Sequence, residues 1–306
     1  MGTRTYDKIN TLYRRYRNLN KVTLPNPAWK VFMNKIIIGN FSDDYMEYVK
    51  TLKFDCFEKI DGTNSKIVYF PSTGLCVPGG KTDNADIVGT GQKAMLDKII
   101  ERIKPILAEL FPPESARFAP VMNNKNQIWA SRQDCEGSFY DDPNGTFDGN
   151  GSFIVFAKEV PVYIYGEFFG KKIQAGGNYD KDNNRFSIFD ICQQGWWVPI
   201  DKLNEYANRL GLDVAPYLGQ MTIEEAEKMV MNGFKTTVPN VSNPDYLAEG
   251  IVARPVVPIK DPRGNRIIVK IKTCDYNELN AAIKQVGEDE YKKFREWYFD
   301  NDIDNA

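Results

Sequence analysis

The sequence predicts an α+β fold in which antiparallel strands predominate. Short runs rich in Val, Ile, Phe and Tyr recur in pairs around turn residues, at 54–70 and again at 250–273. Segments with helical apolar spacing stand between them, at 91–110, 201–210 and 222–232. With 306 residues, 42% of them hydrophobic and 13% aromatic, the chain has enough apolar surface for a substantial core, and no internal repeat divides it.

Taken in order, residues 4–19 read as a short helix with Ile9, Leu12, Tyr13 and Tyr16 on one face, ended before Pro25 and Pro27. Two strands flank a glycine turn at Asp61-Gly62, the second running from Lys66 to Phe70. The 91–110 helix carries Ala94, Ile99, Ile103 and Leu107 on one side, and Pro105 is expected to kink or end it. Residues 134–152, rich in Asp, Asn and Gly, form a loop. Strands are expected at 153–157, 162–168 and 186–191. The 222–232 helix opens with Thr222 and Glu225 in a capping-box pattern. Strands 250–256 and 266–273 meet at a turn over Asp261 to Gly264, and 276–300 is one amphipathic helix.

Composition removes whole classes of chemistry. The chain contains no histidine, which excludes histidine triads, histidine-ligated metals and histidine acid–base work. Its five cysteines lie far apart without a CxxC pair, so neither a disulfide framework nor a zinc site is expected. A net charge of −2 argues against coating nucleic acid by bulk charge but leaves room for a local basic surface. No run of about 18 apolar residues is present, so no membrane role is expected, and the N-terminus lacks an apolar signal core. The expected location is the cytoplasm, or the host cytoplasm for a viral protein.

Five segments concentrate isolated charges in apolar strands. Glu58-Lys59-Ile60-Asp61-Gly62-Thr63-Asn64 puts a lysine at the end of a strand. Tyr165-Gly166-Glu167-Phe168-Phe169-Gly170 holds a lone carboxylate within an aromatic strand. Arg185-Phe186-Ser187-Ile188-Phe189-Asp190-Ile191 offers aromatic rings for stacking. Glu249-Gly250-Ile251-Val252-Ala253-Arg254 starts a strand with a carboxylate, and Val269-Lys270-Ile271-Lys272 alternates so that both ammonium groups face one side of a sheet. Each segment alone has a plain structural reading: a surface lysine, a core strand, an edge strand with solvated lysines.

In this order the five segments resemble the motifs of the covalent nucleotidyltransferase superfamily of ligases and mRNA capping enzymes. They are most similar to the phage-type RNA ligases of the nick-sealing class. Gly80-Lys81-Thr82-Asp83-Asn84, Gly170-Lys171-Lys172-Ile173 and Trp196-Trp197 also resemble that group, and the likeness spans roughly 50–275. It implies a nucleotidyltransferase (ATP-grasp-like ligase) domain of antiparallel sheets flanked by helices over 51–275, without an OB domain. Residues 1–50 would be an extension packing on that core, and 276–306 a C-terminal helix.

The resemblance further implies that Lys59 becomes lysyl-AMP, using ATP and Mg²⁺ or Mn²⁺. A lysine attacks only as the free amine, so such chemistry needs cations and partial burial close by. Lys270 and Lys272 would grip the α-phosphate and help expel pyrophosphate. Glu58, Asp61, Gly62, Asn64, Lys81, Glu167, Phe186 and Glu249 would bind the nucleotide. Phe186 would stack on adenine in preference to Phe189, and Glu249, Asn64 and Glu167 would serve the metal. The implied partner is RNA with 3′-OH and 5′-phosphate ends, in nicked duplexes or joined to DNA.

Two positions depart from the family pattern. Lys81 stands nearest to the place of an arginine that contacts the 5′-phosphate. Asp61 stands where nick-sealing RNA ligases often have histidine and DNA ligases aspartate. The competing readings are an ATP-dependent DNA ligase or capping-type guanylyltransferase, both of which usually carry an OB domain, and a non-catalytic nucleic-acid-binding protein.

Overall fold

Alternation builds the sheet that carries the nucleophile motif. In β15 (Val269–Lys272) the apolar Val269 and Ile271 are buried while Lys270 and Lys272 face the other way. Its neighbours repeat the pattern: Ile251 and Ala253 in β14 (Gly250–Pro255), Phe54 and Cys56 in β4 (Phe54–Glu58). The full sheet runs β1 (Asn10–Thr11), β15, β14, β4, β13 (Tyr217–Met221). Its apolar face packs on buried side chains of α4 (Ile223–Asn232), α5 (Thr273–Val286) and α6 (Glu288–Asp300), including Val230, Leu279 and Phe294.

The computed structural model describes residues 6, 9–81, 90–120, 157–193, 196–262 and 264–303. The expected 134–152 loop and Thr82, Asp83 and Asn84 lie outside these residues. The chain divides into two units, one drawn from residues 1–6, 63–168 and 186–214, the other from 7–62, 169–185 and 215–306. The sheet above belongs to the second unit. It also contains β2 (Tyr13–Arg15) paired with β3 (Ile36–Phe41), and the short helix α1 (Met46–Val49).

The first unit is built on β5 (Thr63–Phe70), β6 (Leu75–Gly80), β9 (Val162–Gly170), β10 (Asn184–Gln193) and β11 (Trp196–Trp197), ordered β11-β10-β9-β5-β6. The last two residues of β9 and the first two of β10 fall in the second unit. The two-residue β12 (Asp213–Val214) pairs parallel to β10, and β7 (Phe118–Pro120) pairs with β8 (Ala157–Glu159). Helix α2 (Gly91–Leu110) packs on β5, β6 and α3 (Ile200–Leu210) through a buried stripe that includes Ile99, Ile103 and Leu107. Thr90 caps α2 by accepting from Lys93 N–H at 3.2 Å.

Several expectations are corrected. The described part of the 4–19 segment, residues 6 and 9–19, is not helical: β1 pairs parallel with β15 and β2 antiparallel with β3. Leu12, Tyr13 and Tyr16 are all buried, because a register shift between Tyr13 and Arg15 breaks the strand alternation and imitates helical spacing. Pro105 does not end α2; the helix continues to Leu110, held by its apolar stripe. The two strands expected on either side of Asp61-Gly62 do form, as β4 and β5, and they belong to different sheets. The left-handed glycines among the described residues do not include Gly62. The 276–300 segment is two helices, broken where Gly287 takes φ +97°. Of the strand expected at 153–157, residues 153–156 lie outside the described residues, and Ala157 opens β8. The capping box on α4 forms as expected, with Thr222 and Glu225 bonded reciprocally.

Candidate active site

The candidate residues divide between the two units. Glu58, Lys59, Asp61, Gly62, Glu249, Lys270 and Lys272 lie in the second, and Asn64, Lys81, Glu167 and Phe186 in the first.

In the second unit Lys59 follows directly on β4, and its N–H donates to Gly250 O at 2.8 Å. That bond anchors it beside the start of β14, where Glu249 sits. Gly250 takes φ +153°, and a side chain there would meet Ile271 O at 2.0 Å, so only glycine lets β14 and β15 approach this closely. The approach gathers three charges. The Lys59 ammonium donates to one oxygen of Glu249, and Lys272 lies 2.7 Å from the other. Glu249 is 14% exposed, so the carboxylate bridges two ammonium groups with little water to screen them. Burial opposes the charge on Lys272, but the hydrogen bond and charge of Glu249 outweigh it and raise its pKa above that of an ordinary lysine. Lys270 pairs in register with Val252 on one side and Thr11 on the other, on the same sheet face as Lys272.

Glu58 and Asp61 are fixed by the protein itself. Glu58 is 2% exposed, and its oxygens accept from Thr236 Oγ1 at 2.5 Å and from Thr237 N and Oγ1 at 2.6 and 2.8 Å. Asp61 N–H donates to the Tyr179 hydroxyl at 3.2 Å, and its carboxylate accepts from Ala175 N–H at 3.3 Å. Burial pushes the Tyr179 hydroxyl's pKa upward, which keeps it neutral in that role.

In the first unit Asn64 and Glu167 are directly opposite in the β5–β9 ladder, so two oxygen-bearing side chains share one face. Asn64 Oδ1 is buried and without a hydrogen-bond partner among the described residues. Lys66, two residues along and therefore on that face, is buried with its stem lying where a side chain on Gly79 would stand. Lys81 is exposed, one residue beyond β6.

Phe186 and Phe189 lie in different surroundings, and Gly166 sets those of Phe186. A Cβ on Gly166 would come within 2.5 Å of the Phe186 ring, so that ring fills the space the glycine leaves. Gly166 and Glu167 are consecutive in β9 and face opposite ways, which puts Phe186 on the side away from Glu167. It is 4% exposed. Phe189 is only partly buried and shares the ring of Tyr6 with Tyr165, at centroid distances of 5.1 and 4.9 Å. Tyr165 is two residues from Glu167 and on its face, so Phe189 flanks the side where Asn64 and Glu167 lie.

Thr236, Thr237, Tyr179 and Lys66 are additions that no motif in the sequence signals. Among the described residues no group of three or more His, Cys, Asp or Glu converges as a metal site.

A family model described as RNA ligase matches residues 53–272. The chain belongs to the RNA ligase family. Every motif residue from Lys59 to Lys272 lies inside the matched span. Among solved structures, a variant of the Naegleria gruberi RNA ligase with ATP and Mn is 15% identical, with a TM-score of 0.45 over 78% of this chain and 54% of that one. The same organism's RNA ligase with PPi is 16% identical, with a TM-score of 0.44 over 78% and 53%. The chain therefore spans about half the length of those RNA ligases. A search of curated proteins returned no match.

Proposed function

We propose that this member of the RNA ligase family joins RNA ends in an ATP-dependent reaction that passes through AMP carried on Lys59. The observation that supports this most is the Lys59–Glu249–Lys272 cluster, a lysine in a KxDG motif held beside a second ammonium by a shared carboxylate. In the first step the Lys59 amine attacks the α-phosphorus of ATP. A nitrogen–phosphorus bond forms, the bond to the bridging oxygen breaks and pyrophosphate leaves. Glu249, already bonded to that amine, takes its proton. Lys270 and Lys272 neutralise charge on the phosphates as it shifts to the leaving group. The 5′-phosphate of RNA then displaces Lys59 from AMP, and the 3′-OH of the other end displaces AMP to leave a 3′–5′ bond.

Asn64 and Glu167 are assigned to the nucleotide and to the metal, with Phe189 rather than the packed Phe186 as the stacking ring. The unpartnered Asn64 oxygen and the carboxylate opposite it fit a hard cation, which typically keeps its waters and takes only one or two protein oxygens. Mg²⁺ or Mn²⁺, when bound there, would draw negative charge from the phosphate oxygens. Glu249 would hold a cation of its own only after releasing Lys272 or the proton it takes from Lys59.

The test uses α-labelled ATP and GTP with Mg²⁺ on a denaturing gel, followed by nicked duplexes whose 3′-OH strand ends in ribose or deoxyribose. The expected result is label from ATP, none from GTP, and faster sealing from a ribose end. Label from GTP would point to capping chemistry. Equal or faster sealing of an all-DNA strand would make the protein a DNA ligase, the reading that Asp61 favours.

A further inference from the structure

Glu58 stands next to the nucleophile, yet its side chain is buried and held by the protein's own donors. Thr236 and Thr237 give its carboxylate three hydrogen bonds, and Glu58 is 2% exposed. Those threonines belong to a segment that runs antiparallel to the residues leading into Glu249. Thr236 N–H donates to Tyr246 O at 2.9 Å, Ala248 N–H donates to Phe234 O at 2.9 Å, and Lys235 bridges to Leu247. Thr236 Oγ1 also accepts from Val238 N–H at 3.2 Å, so its hydroxyl hydrogen is directed to Glu58. The far end of the same arm is fixed to the lysine strand, because Thr273 N–H donates to Glu249 O at 2.9 Å and Thr273 Oγ1 to Ala248 O at 3.2 Å.

One buried carboxylate thus ties the strand that ends in Lys59 to the arm that delivers Glu249. Its own main chain is held on the opposite edge, where Glu58 N–H donates to Pro216 O at 2.8 Å. Charge-assisted bonds in a buried setting are short, directional and costly to lose, which suits a part that sets distance rather than one that touches substrate.

We propose that Glu58, with Thr236 and Thr237, is a positioning clamp that sets the Lys59 amine against Glu249, and that it makes no contact with the nucleotide. The proposal rests on Lys59 being the adenylylated residue. It replaces the direct nucleotide contact that the motif resemblance implies for Glu58. The clamp acts on the rate of lysine attack and leaves ATP binding alone.

The experiment compares wild type with Glu58→Gln, the double variant Thr236→Val with Thr237→Val, and Thr237→Ser. Valine keeps the threonine shape and removes the hydroxyl; serine keeps the hydroxyl. Two readouts are taken on the full chain. The first is the single-turnover rate of adenylylation as a function of ATP. The second is competitive trace acetylation with peptide mass spectrometry, comparing Lys59 with the surface lysines Lys202 and Lys228. The double-valine and Glu58→Gln proteins should lose at least tenfold in maximal rate, with the ATP concentration at half-saturation changed less than threefold. Acetylation of Lys59 should rise at least threefold relative to the two controls, and Thr237→Ser should stay within twofold of wild type on both readouts.

A raised half-saturation at unchanged maximal rate would mean that Glu58 touches the nucleotide, and would overturn the clamp. Unchanged Lys59 acetylation in both variants would overturn it as well. If wild type takes no label from ATP, the ligase reading fails, while the acetylation pattern still decides whether the clamp sets the amine.

Discussion

The ends of β4, β14 and β15 and the β5–β9 ladder solve opposite problems. In the first region both carboxylates are taken up by protein partners: Glu249 holds Lys59 and Lys272, and Glu58 holds two threonines. In the second, a buried amide oxygen on Asn64 has no partner among the described residues, and the carboxylate of Glu167 stands across the ladder from it. A saturated cluster is ordered before ligand arrives, and ligand must break a pair to enter. A region with an unused acceptor carries a cost that ligand relieves. Under the proposed function the contrast separates preorganised nucleophile chemistry from ligand capture, and it predicts that mutations in the two regions affect stability in opposite directions.

The largest expected effect is in the saturated cluster. Lys272→Met should lower the single-turnover rate of adenylylation by about 100- to 1000-fold, the scale of removing one preorganised charge donor at a transition state. The melting temperature should fall or stay level, since Lys59 still satisfies one oxygen of Glu249. A loss below threefold would remove Lys272 from the chemistry and reduce the cluster to a structural ion pair.

Asn64→Ala sharpens the contrast. Adenylylation should drop by about tenfold while stability without ligand holds or rises by up to about 1 kcal/mol, because an unsatisfied buried acceptor disappears. Thermal unfolding with and without ATP reads both halves of this statement. A clear loss of stability would show that the amide is held by the fold and is not waiting for ligand.

The smallest effect separates two rings on one strand. Phe189→Ala should raise the ATP concentration at half-saturation about three- to tenfold with little change in stability. Phe186→Ala should instead cost about 3–5 kcal/mol of stability, the range for truncating a buried aromatic. Reversal of the two outcomes would restore Phe186 as the stacking ring.

How much of this was legible in the sequence follows from how far apart the cooperating residues lie. The alternation in Val269-Lys270-Ile271-Lys272 is local, so the shared face of the two lysines could be read directly, and the structure bears it out. The capping box on α4 is equally local and forms. The clamp on Glu58 joins residues 178 and 179 positions apart, and nothing in Thr236-Thr237 marks it. The choice between Phe186 and Phe189 depends on a neighbouring strand, where Gly166 opens a space on one face only. The N-terminal segment misled because apolar spacing across the register shift in β2 matches helical spacing, and β1 pairs with β15, more than 250 residues away. The break at Gly287 was visible as a residue, yet its left-handed backbone was not.

The central claim is that Lys59 alone carries AMP. The most direct measurement is brief incubation of the wild-type chain with ATP and Mg²⁺, followed by digestion and mass spectrometry of every lysine-bearing peptide, with Lys59→Ala treated in parallel. The account predicts one AMP adduct, on the peptide containing Lys59, and none anywhere in the Lys59→Ala protein. An adduct on Lys270 or Lys272, or one that survives in Lys59→Ala, would contradict it.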